Sequence, residues 1–220
     1  DELRMLLKNI LNISTLIILL QSTGWLNQPE NQSKTGAFYL LLFSTLIGMY
    51  FLISAGDFLM LYLGLELATL PLTILAAFDK GLRRSAEAGI KLLMSSAVSS
   101  AILLFGISLM YGVYGTLHFS EMALLSDTST LSNLALVFFI AGLGFKLSLV
   151  PFHLWTADVY EGSPMPVTSY FSVVSKGAAL FTLAMVLYRV FGSQPKVWTM
   201  TAYFLSITTM VVGNLFAMRQ

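Results

Sequence analysis

Seven long apolar segments, separated by short polar ones, run along the chain. Each is close to the roughly 20 mostly apolar residues that a helix needs to cross a bilayer. The predicted helices cover roughly residues 3–24, 37–54, 58–78, 86–114, 132–155, 166–191 and 198–218. The mixed stretch Leu117–Asp127 is too short to span and predicts an interfacial piece. The pattern therefore predicts an all-α integral membrane protein with about seven transmembrane helices.

Composition supports this class. The 220 residues have a mean hydropathy of +0.79, and only 10% of them are charged, whereas a soluble domain carries about 25%. The net charge of +1 argues against a nucleic-acid partner, which requires a basic surface. The chain contains no cysteine, which excludes disulfides, iron–sulfur ligation and thiolate catalysis by its own residues.

The basic residues predict how the helices are oriented. Lys80, Arg83 and Arg84 lie together after the third helix, whereas residues 115–131 contain no Lys or Arg. Because basic loops stay in the cytoplasm, loop 79–86 is predicted to be cytoplasmic. The chain begins at Asp1 and ends directly after an apolar run, from which we expect a piece of a longer protein.

The informative charged residues inside the apolar segments are Glu66, Lys91, Lys146 and Lys176. Each costs about 2.5–3.5 kcal/mol at the centre of a membrane helix, so four facing lipid would cost roughly 10 kcal/mol. They are therefore expected to face each other, water or another subunit. Histidine is the residue type most often used to exchange protons in proteins, and His153 follows Lys146 by seven residues. Together the five residues predict a relay for protons.

Hydroxyl side chains share helix faces with these charges. Thr69 and Thr73 lie on the side of Glu66, Ser95 and Ser99 on that of Lys91, and Ser169 and Ser172 on that of Lys176. Hydroxyls beside a buried ammonium can hold water for proton transfer. The alternative is that each Ser only packs helices together.

Two prolines are spaced alike from a charge. Pro71 lies five residues after Glu66, and Pro151 lies five residues after Lys146. Proline leaves the carbonyl four residues earlier without its helical partner, and such irregular backbone is tolerated in a membrane where it is buried or lines a cavity. Helix breaks are predicted at both prolines, with a broken or kinked helix near Pro151.

Structural roles are the alternatives at these positions. Glu66 could only neutralise a lysine, Lys91 could extend to the membrane surface, and His153 could be a core histidine. Asp158 and Glu161 are predicted to be loop residues. The sequence has no His or carboxylate cluster with metal-ligand spacing, and no phosphate loop, nucleophile elbow or dinucleotide fingerprint.

Longer strings carry a family resemblance. The string Gly142–Trp155, GLGFKLSLVPFHLW, resembles the seventh-helix motif of the antiporter-like subunits of respiratory complex I. The string Thr156–Pro164, TADVYEGSP, resembles in particular the subunit-N family of bacterial NADH–quinone oxidoreductases. Two shorter strings, Leu63–Leu67 and Ser85–Lys91, also match. Ala157 departs from the family, which commonly has Pro there, and this puts the loop shape in doubt.

The resemblance implies a fold of two inverted five-helix units. Residues 1–36 would end the leading helices and add a polar loop, residues 37–192 would form the first unit, and residues 193–220 would begin a truncated second unit. The resemblance also implies that Glu66 acts electrostatically on Lys91, that Lys146 and Lys176 carry protons, and that His153 lies near the connecting path.

The implied function is proton translocation coupled to quinone reduction elsewhere in the complex. The chain itself would hold no cofactor, whereas FMN, iron–sulfur clusters and quinone would belong to partner subunits. Its partners would be other membrane subunits, including neighbouring antiporter-like ones, in a bacterial inner membrane. The alternatives are a subunit of a multi-subunit Na+/H+ antiporter of the Mrp type and a structural subunit that conducts nothing.

Overall fold

The computed structural model describes residues 2–79, 81–125, 129–192 and 195–219. Its ten α-helices over these ranges are α1 Glu2–Leu26, α2 Thr35–Ser54, α3 Phe58–Ala76, α4 Arg83–Tyr114, α5 Phe119–Met122, α6 Thr130–Leu147, α7 Leu154–Gly162, α8 Met165–Tyr170, α9 Lys176–Arg189 and α10 Pro195–Arg219. A 3-10 turn at Gln32–Lys34 precedes α2, and a π-helical turn at Phe171–Ser175 joins α8 to α9.

Seven spans in the described part of the chain are long and apolar enough to cross a membrane. They comprise α1, the 3-10 turn with α2, α3, α4, α6, the continuous run from α8 to α9, and α10. This confirms the predicted all-α membrane class. The predicted interfacial piece contains the short α5, with an isolated bridge between Asp57 and His118 before it. Residues 126–128 of that piece lie outside the described residues.

Small residues bring the central helices close together. A Cβ atom added to Gly64 on α3 would lie 2.6 Å from the backbone nitrogen of Leu52 on α2. A Cβ atom added to Gly142 on α6 would lie 2.6 Å from the Cβ of Leu103 on α4. Only glycine permits this spacing, and such small-residue contacts are typical of membrane helices, whose packing depends on close approach. The α2–α3 and α4–α6 pairs therefore form the tightest parts of the bundle.

Apolar side chains fill the interior and also cover the outside. One buried cluster joins α1, α2 and α3 to Trp155 and Tyr170, and a second is centred on Phe58, Leu103 and Phe139. Large apolar side chains are exposed on the outer faces of these helices, as on α10. In water this surface would be unfavourable, but it is what a bilayer requires.

The two prolines differ. Pro71 lies inside α3, which continues unbroken from Phe58 to Ala76, so the helix break predicted there is wrong. One proline removes one backbone hydrogen bond, and the packed neighbours of α3 hold the helix together. At Pro151 the prediction is confirmed, because α6 ends at Leu147 and α7 begins at Leu154.

Candidate functional site

The break after α6 is a defined helix end. Ser148 has a left-handed backbone, with φ +57°. Its N–H donates to the carbonyl of Phe145 at 3.0 Å, and the N–H of Leu149 donates to the carbonyl of Gly144 at 2.9 Å. These two bonds form a Schellman motif, which satisfies carbonyls that a helix end leaves unpaired. The irregular backbone thus ends α6 one residue after Lys146.

Lys146 is buried, with 8% of its surface exposed. It lies in the last turn of α6, where the negative end of the helix dipole favours a cation. The charge of Glu66, across from α3, also acts on it. Among the described residues no carboxylate lies within 4 Å of its ammonium, so it is held by longer-range electrostatics.

Glu66 has a direct partner on α4. Its carboxylate accepts a short hydrogen bond from the hydroxyl of Ser100. Nine residues, or about 14 Å along a helix, separate Ser100 from Lys91. The direct contact of Glu66 on α4 is therefore Ser100, and the effect on Lys91 that the resemblance implies stays a prediction.

Lys176 follows a helix irregularity. It is the first residue of α9, directly after the π-helical turn Phe171–Ser175, and π-turns inside α-helices are frequent at functional sites. Its ammonium lies 5.2 Å from the ring centre of Tyr160 on α7, a cation–π geometry.

Aromatic residues separate the two central lysines. The space between Lys146 and Lys176 is lined by Phe145, Trp155 and Phe171 and is too narrow to hold a water molecule. Trp155 and Phe145 lie with ring centres 5.0 Å apart, and the indole nitrogen of Trp155 donates to the carbonyl of Phe145 at 3.1 Å. In this structure the rings therefore leave no room for water in the space that they line.

His153 lies at the end of the break, immediately before α7. Both of its ring nitrogens are buried, and neither has a hydrogen-bond partner among the described residues. The ring packs edge-on against Phe216 of α10, with centres 5.5 Å apart. The backbone of the break also contacts α10, because the N–H of Val150 donates to Thr209 at 3.1 Å.

Lys91 lies in different surroundings. Its ammonium is 2.6 Å from Glu87, one turn earlier on α4, and 2.6 Å from Asp158. Asp158 and Glu161 lie on α7, so the prediction that they are loop residues is wrong. A polar cavity of about 150 Å³ lies beside Lys91. It is lined by Arg84, Glu87, Lys91, Asp158, Glu161 and Gly162.

The hydroxyl groups mostly bond to backbone. Ser95 donates to the carbonyl of Lys91, Ser99 to that of Gly142, and Thr69 to that of Leu65. These bonds favour the interpretation of the hydroxyls as helix packing. Ser100, one residue beyond the face predicted for Ser95 and Ser99, donates instead to the carboxylate of Glu66.

Sequence reasoning missed Asp158, Glu87 and Tyr160. The signal for Glu87 was present, since an acidic residue four positions before a lysine forms a helical pair. Asp158 and Tyr160 could not be assigned, because their roles depend on how α7 folds back after the break.

The geometry defines a class: a membrane bundle with a helix broken beside a buried lysine and an intramembrane carboxylate on another helix. Comparison with known sequences agrees with it. The profile of a family described as NADH:quinone oxidoreductase/Mrp antiporter, TM, matches residues 55–220. The chain belongs to this family.

Particular relatives sharpen the assignment. An NADH-quinone oxidoreductase subunit N from Azobacteroides pseudotrichonymphae genomovar. CFP2 is 52% identical over 220 residues, covering 100% of this chain and 46% of the relative. One from Phocaeicola vulgatus is 51% identical over 214 residues, covering 97% of this chain and 45% of the relative. These relatives confirm the resemblance to the subunit-N family. The chain spans about half the length of the curated relatives it matches.

A solved structure has the same fold. A chain of respiratory complex I from Thermus thermophilus with bound aureothin aligns with a TM-score of 0.79 and 31% identity, covering 97% of this chain and 45% of that one. This agreement confirms the predicted likeness to the antiporter-like subunits.

Proposed function

We propose that this chain forms a proton-translocating unit in the membrane part of an NADH–quinone oxidoreductase. In this proposal Lys146 and Lys176 accept and release protons, and Glu66 adjusts the electrostatics of Lys146. His153 connects the broken helix to the path beyond α10. The chain is part of an enzyme, but the redox sites of that enzyme belong to other subunits.

The observation that carries the proposal is the setting of Lys146. A buried ammonium is costly in a membrane, and intramembrane ionisable residues are functional by default. Here the cost is reduced by a helix end and by the charge of Glu66. Small movements of either group, or of water, would change whether the lysine holds its proton. A group that only stabilised the fold would be expected to have a fixed, direct counter-ion.

The rings of Phe145, Trp155 and Phe171, which we call the aromatic partition, control proton transfer between Lys146 and Lys176. Because the space between Lys146 and Lys176 is too narrow for water, protons pass only when the rings of Phe145, Trp155 and Phe171 move apart. A closed resting state prevents leakage, and it allows a signal from another subunit to control the step.

The surroundings follow from the same proposal. Partner membrane subunits, including other antiporter-like ones, flank the chain in a bacterial inner membrane, with loop 79–86 in the cytoplasm. FMN, iron–sulfur clusters and quinone belong to other subunits of the complex. NADH oxidation at those subunits supplies the energy.

The test is NADH-driven proton uptake in inverted membrane vesicles, with the full-length subunit in its complex. Lys146→Ala is compared with wild type, and complex assembly and NADH oxidation are measured in the same vesicles. We expect intact assembly with uptake lowered by about tenfold or more, since a positioned proton-transfer group contributes at least this much.

Two results would replace the proposal. Unchanged uptake in Lys146→Ala would favour the structural, non-conducting subunit. Sodium-dependent exchange of protons without NADH would favour the Mrp-type antiporter, the other branch that the family description names.

A further inference from the structure

An ion-pair cluster joins α4 to the second half of the broken helix. The ammonium of Lys91 lies between two carboxylates, Glu87 on its own helix and Asp158 on α7, each at 2.6 Å. Asp158 is the member that crosses between helices. We name Lys91 and Asp158 the α4–α7 clasp.

The backbones of the two helices meet beside the clasp. A Cβ atom added to Gly162, at the end of α7, would lie 2.5 Å from the carbonyl oxygen of Arg84 and 2.8 Å from the Cβ of Ala88. A glycine at this point lets α7 lie directly on α4. The clasp therefore joins two helices that are already in close contact.

The position of α7 determines the surroundings of both central lysines. Trp155 of α7 bonds to the carbonyl of Phe145, next to Lys146, and forms part of the aromatic partition. Tyr160 of α7 presents its ring to Lys176. His153 immediately precedes the helix. A shift of α7 would alter all three at once.

The depth of Lys91 fits an anchoring role. The 32 residues of α4 extend about 48 Å, which exceeds the roughly 30 Å of hydrocarbon. Lys91 lies eight residues from the start of α4, or about 12 Å along it. It is thus near the membrane boundary, where its side chain is 41% exposed. Its two carboxylates already balance its charge, in contrast to Lys146.

We infer that Asp158 and Lys91 are positioning residues: their ion pair holds α7 so that Trp155 and Tyr160 face the central lysines, and Lys91 keeps its proton throughout. The inference rests on the proposed function. It assigns Asp158 a role and moves Lys91 from the proton path to the scaffold of that path.

The first test uses Lys91→Arg and Asp158→Asn in the vesicle assay with the assembled complex. Arginine keeps an ion pair but does not release its proton, so Lys91→Arg should retain at least about half of wild-type proton uptake. Asp158→Asn should lower uptake about tenfold, since a displacement of about 1 Å can cost up to a hundredfold. Glu121→Gln, an exposed carboxylate on α5 far from the clasp, serves as the control and should behave as wild type.

The second test is a charge exchange, which a general loss of structure would not reverse. Asp158→Lys alone should abolish proton uptake, and the double variant Lys91→Asp with Asp158→Lys should recover a substantial part of it. Recovery in the exchanged pair depends on attraction between the two positions, whatever the direction of the charge.

The outcomes separate the two proposals. Loss of uptake in Lys91→Arg, or normal uptake in Asp158→Asn, would overturn the clasp and return Lys91 to the proton path. Failure of the exchanged pair to recover, while Asp158→Lys assembles, would overturn it as well. Normal uptake in Lys146→Ala would instead overturn the proposed function, whatever the clasp variants do.

Discussion

Lys146 and Lys91 are both lysines within apolar helices, yet they occupy opposite kinds of site. Lys146 is 8% exposed and lies at a helix end, and no carboxylate of the described residues lies within 4 Å of its ammonium, although the charge of Glu66 acts on it from farther away. The side chain of Lys91 is 41% exposed and touches two carboxylates at 2.6 Å. From the sequence, both lysines carry the same free-energy cost of a charge in a membrane helix. In the structure, different surroundings reduce that cost for each.

These two sites illustrate two roles that a lysine within a membrane helix can have. A lysine fixed between two carboxylates has its charged form stabilised, and it serves to connect helices. A lysine stabilised by a helix end and a distant charge can change its protonation state when either moves. We therefore expect substitutions around Lys146 to affect proton transfer, and those around Lys91 to affect it only through the position of α7.

The largest effect is expected from the carboxylate that faces the buried lysine. Glu66→Gln keeps the size and the hydrogen bond to Ser100 but removes the charge that acts on Lys146. We expect NADH-driven proton uptake to fall by about tenfold or more, the scale of a lost proton-transfer group.

Glu87→Gln is the matched change at the exposed lysine. Because Asp158 still pairs with Lys91, uptake should fall by less than about threefold, as expected when one exposed ion pair is lost. Equal losses in the two variants would remove the distinction between the sites.

An intermediate effect is expected at Tyr160, which links the two regions. Tyr160→Leu removes the aromatic face beneath Lys176, an interaction of about 0.5–2 kcal/mol, so proton uptake should fall about threefold. Tyr160→Phe keeps the ring and should remain near wild type. If both variants lose uptake equally, the hydroxyl is the functional group and the cation–π contact is incidental.

A substitution at Pro71 tests whether proton uptake requires an irregular helix beside every intramembrane charge. Since α3 is continuous through Pro71, Pro71→Ala should restore one backbone hydrogen bond and leave proton uptake within about twofold of wild type. The measurement is uptake together with the thermal stability of the solubilised complex. A large loss of uptake would mean that α3 works as a broken helix after all.

The smallest effect is expected at the outermost ion pair. Arg84 and Glu161 are 2.9 Å apart, with side chains 79% and 68% exposed, and such surface pairs contribute little. Arg84→Gln should change both proton uptake and complex stability by less than about twofold. A loss as large as that of Asp158→Asn would extend the clasp to this pair.

The spans and the main break were predictable because they depend on local sequence. Long apolar runs set the seven spans, and Pro151 marked the break after α6, although the predicted helix ran on to residue 155. Pro71 misled because the same spacing from a charge occurs inside a helix that its neighbours support. What differs at α6 is the left-handed turn at Ser148, for which serine gives no clear signal.

The partners of the charged residues were less predictable. Glu66 acts on Lys146, 80 positions away, and Lys91 pairs with Asp158, 67 positions away. Such pairings depend on how α7 folds back onto α4 and cannot be read from spacing along one helix. The proton roles of Glu66, Lys91, Lys146, His153 and Lys176 remain predictions, and for Lys91 we propose a positioning role instead.

The most direct measurement compares Lys146→Arg with Lys91→Arg in the same inverted vesicles, with NADH-driven proton uptake normalised to assembled complex. Arginine is a permanent cation, so each variant keeps the charge and removes the ability to release a proton. We expect Lys146→Arg to lose proton uptake and Lys91→Arg to keep it. Retained uptake in Lys146→Arg, or equal loss in both variants, would contradict it.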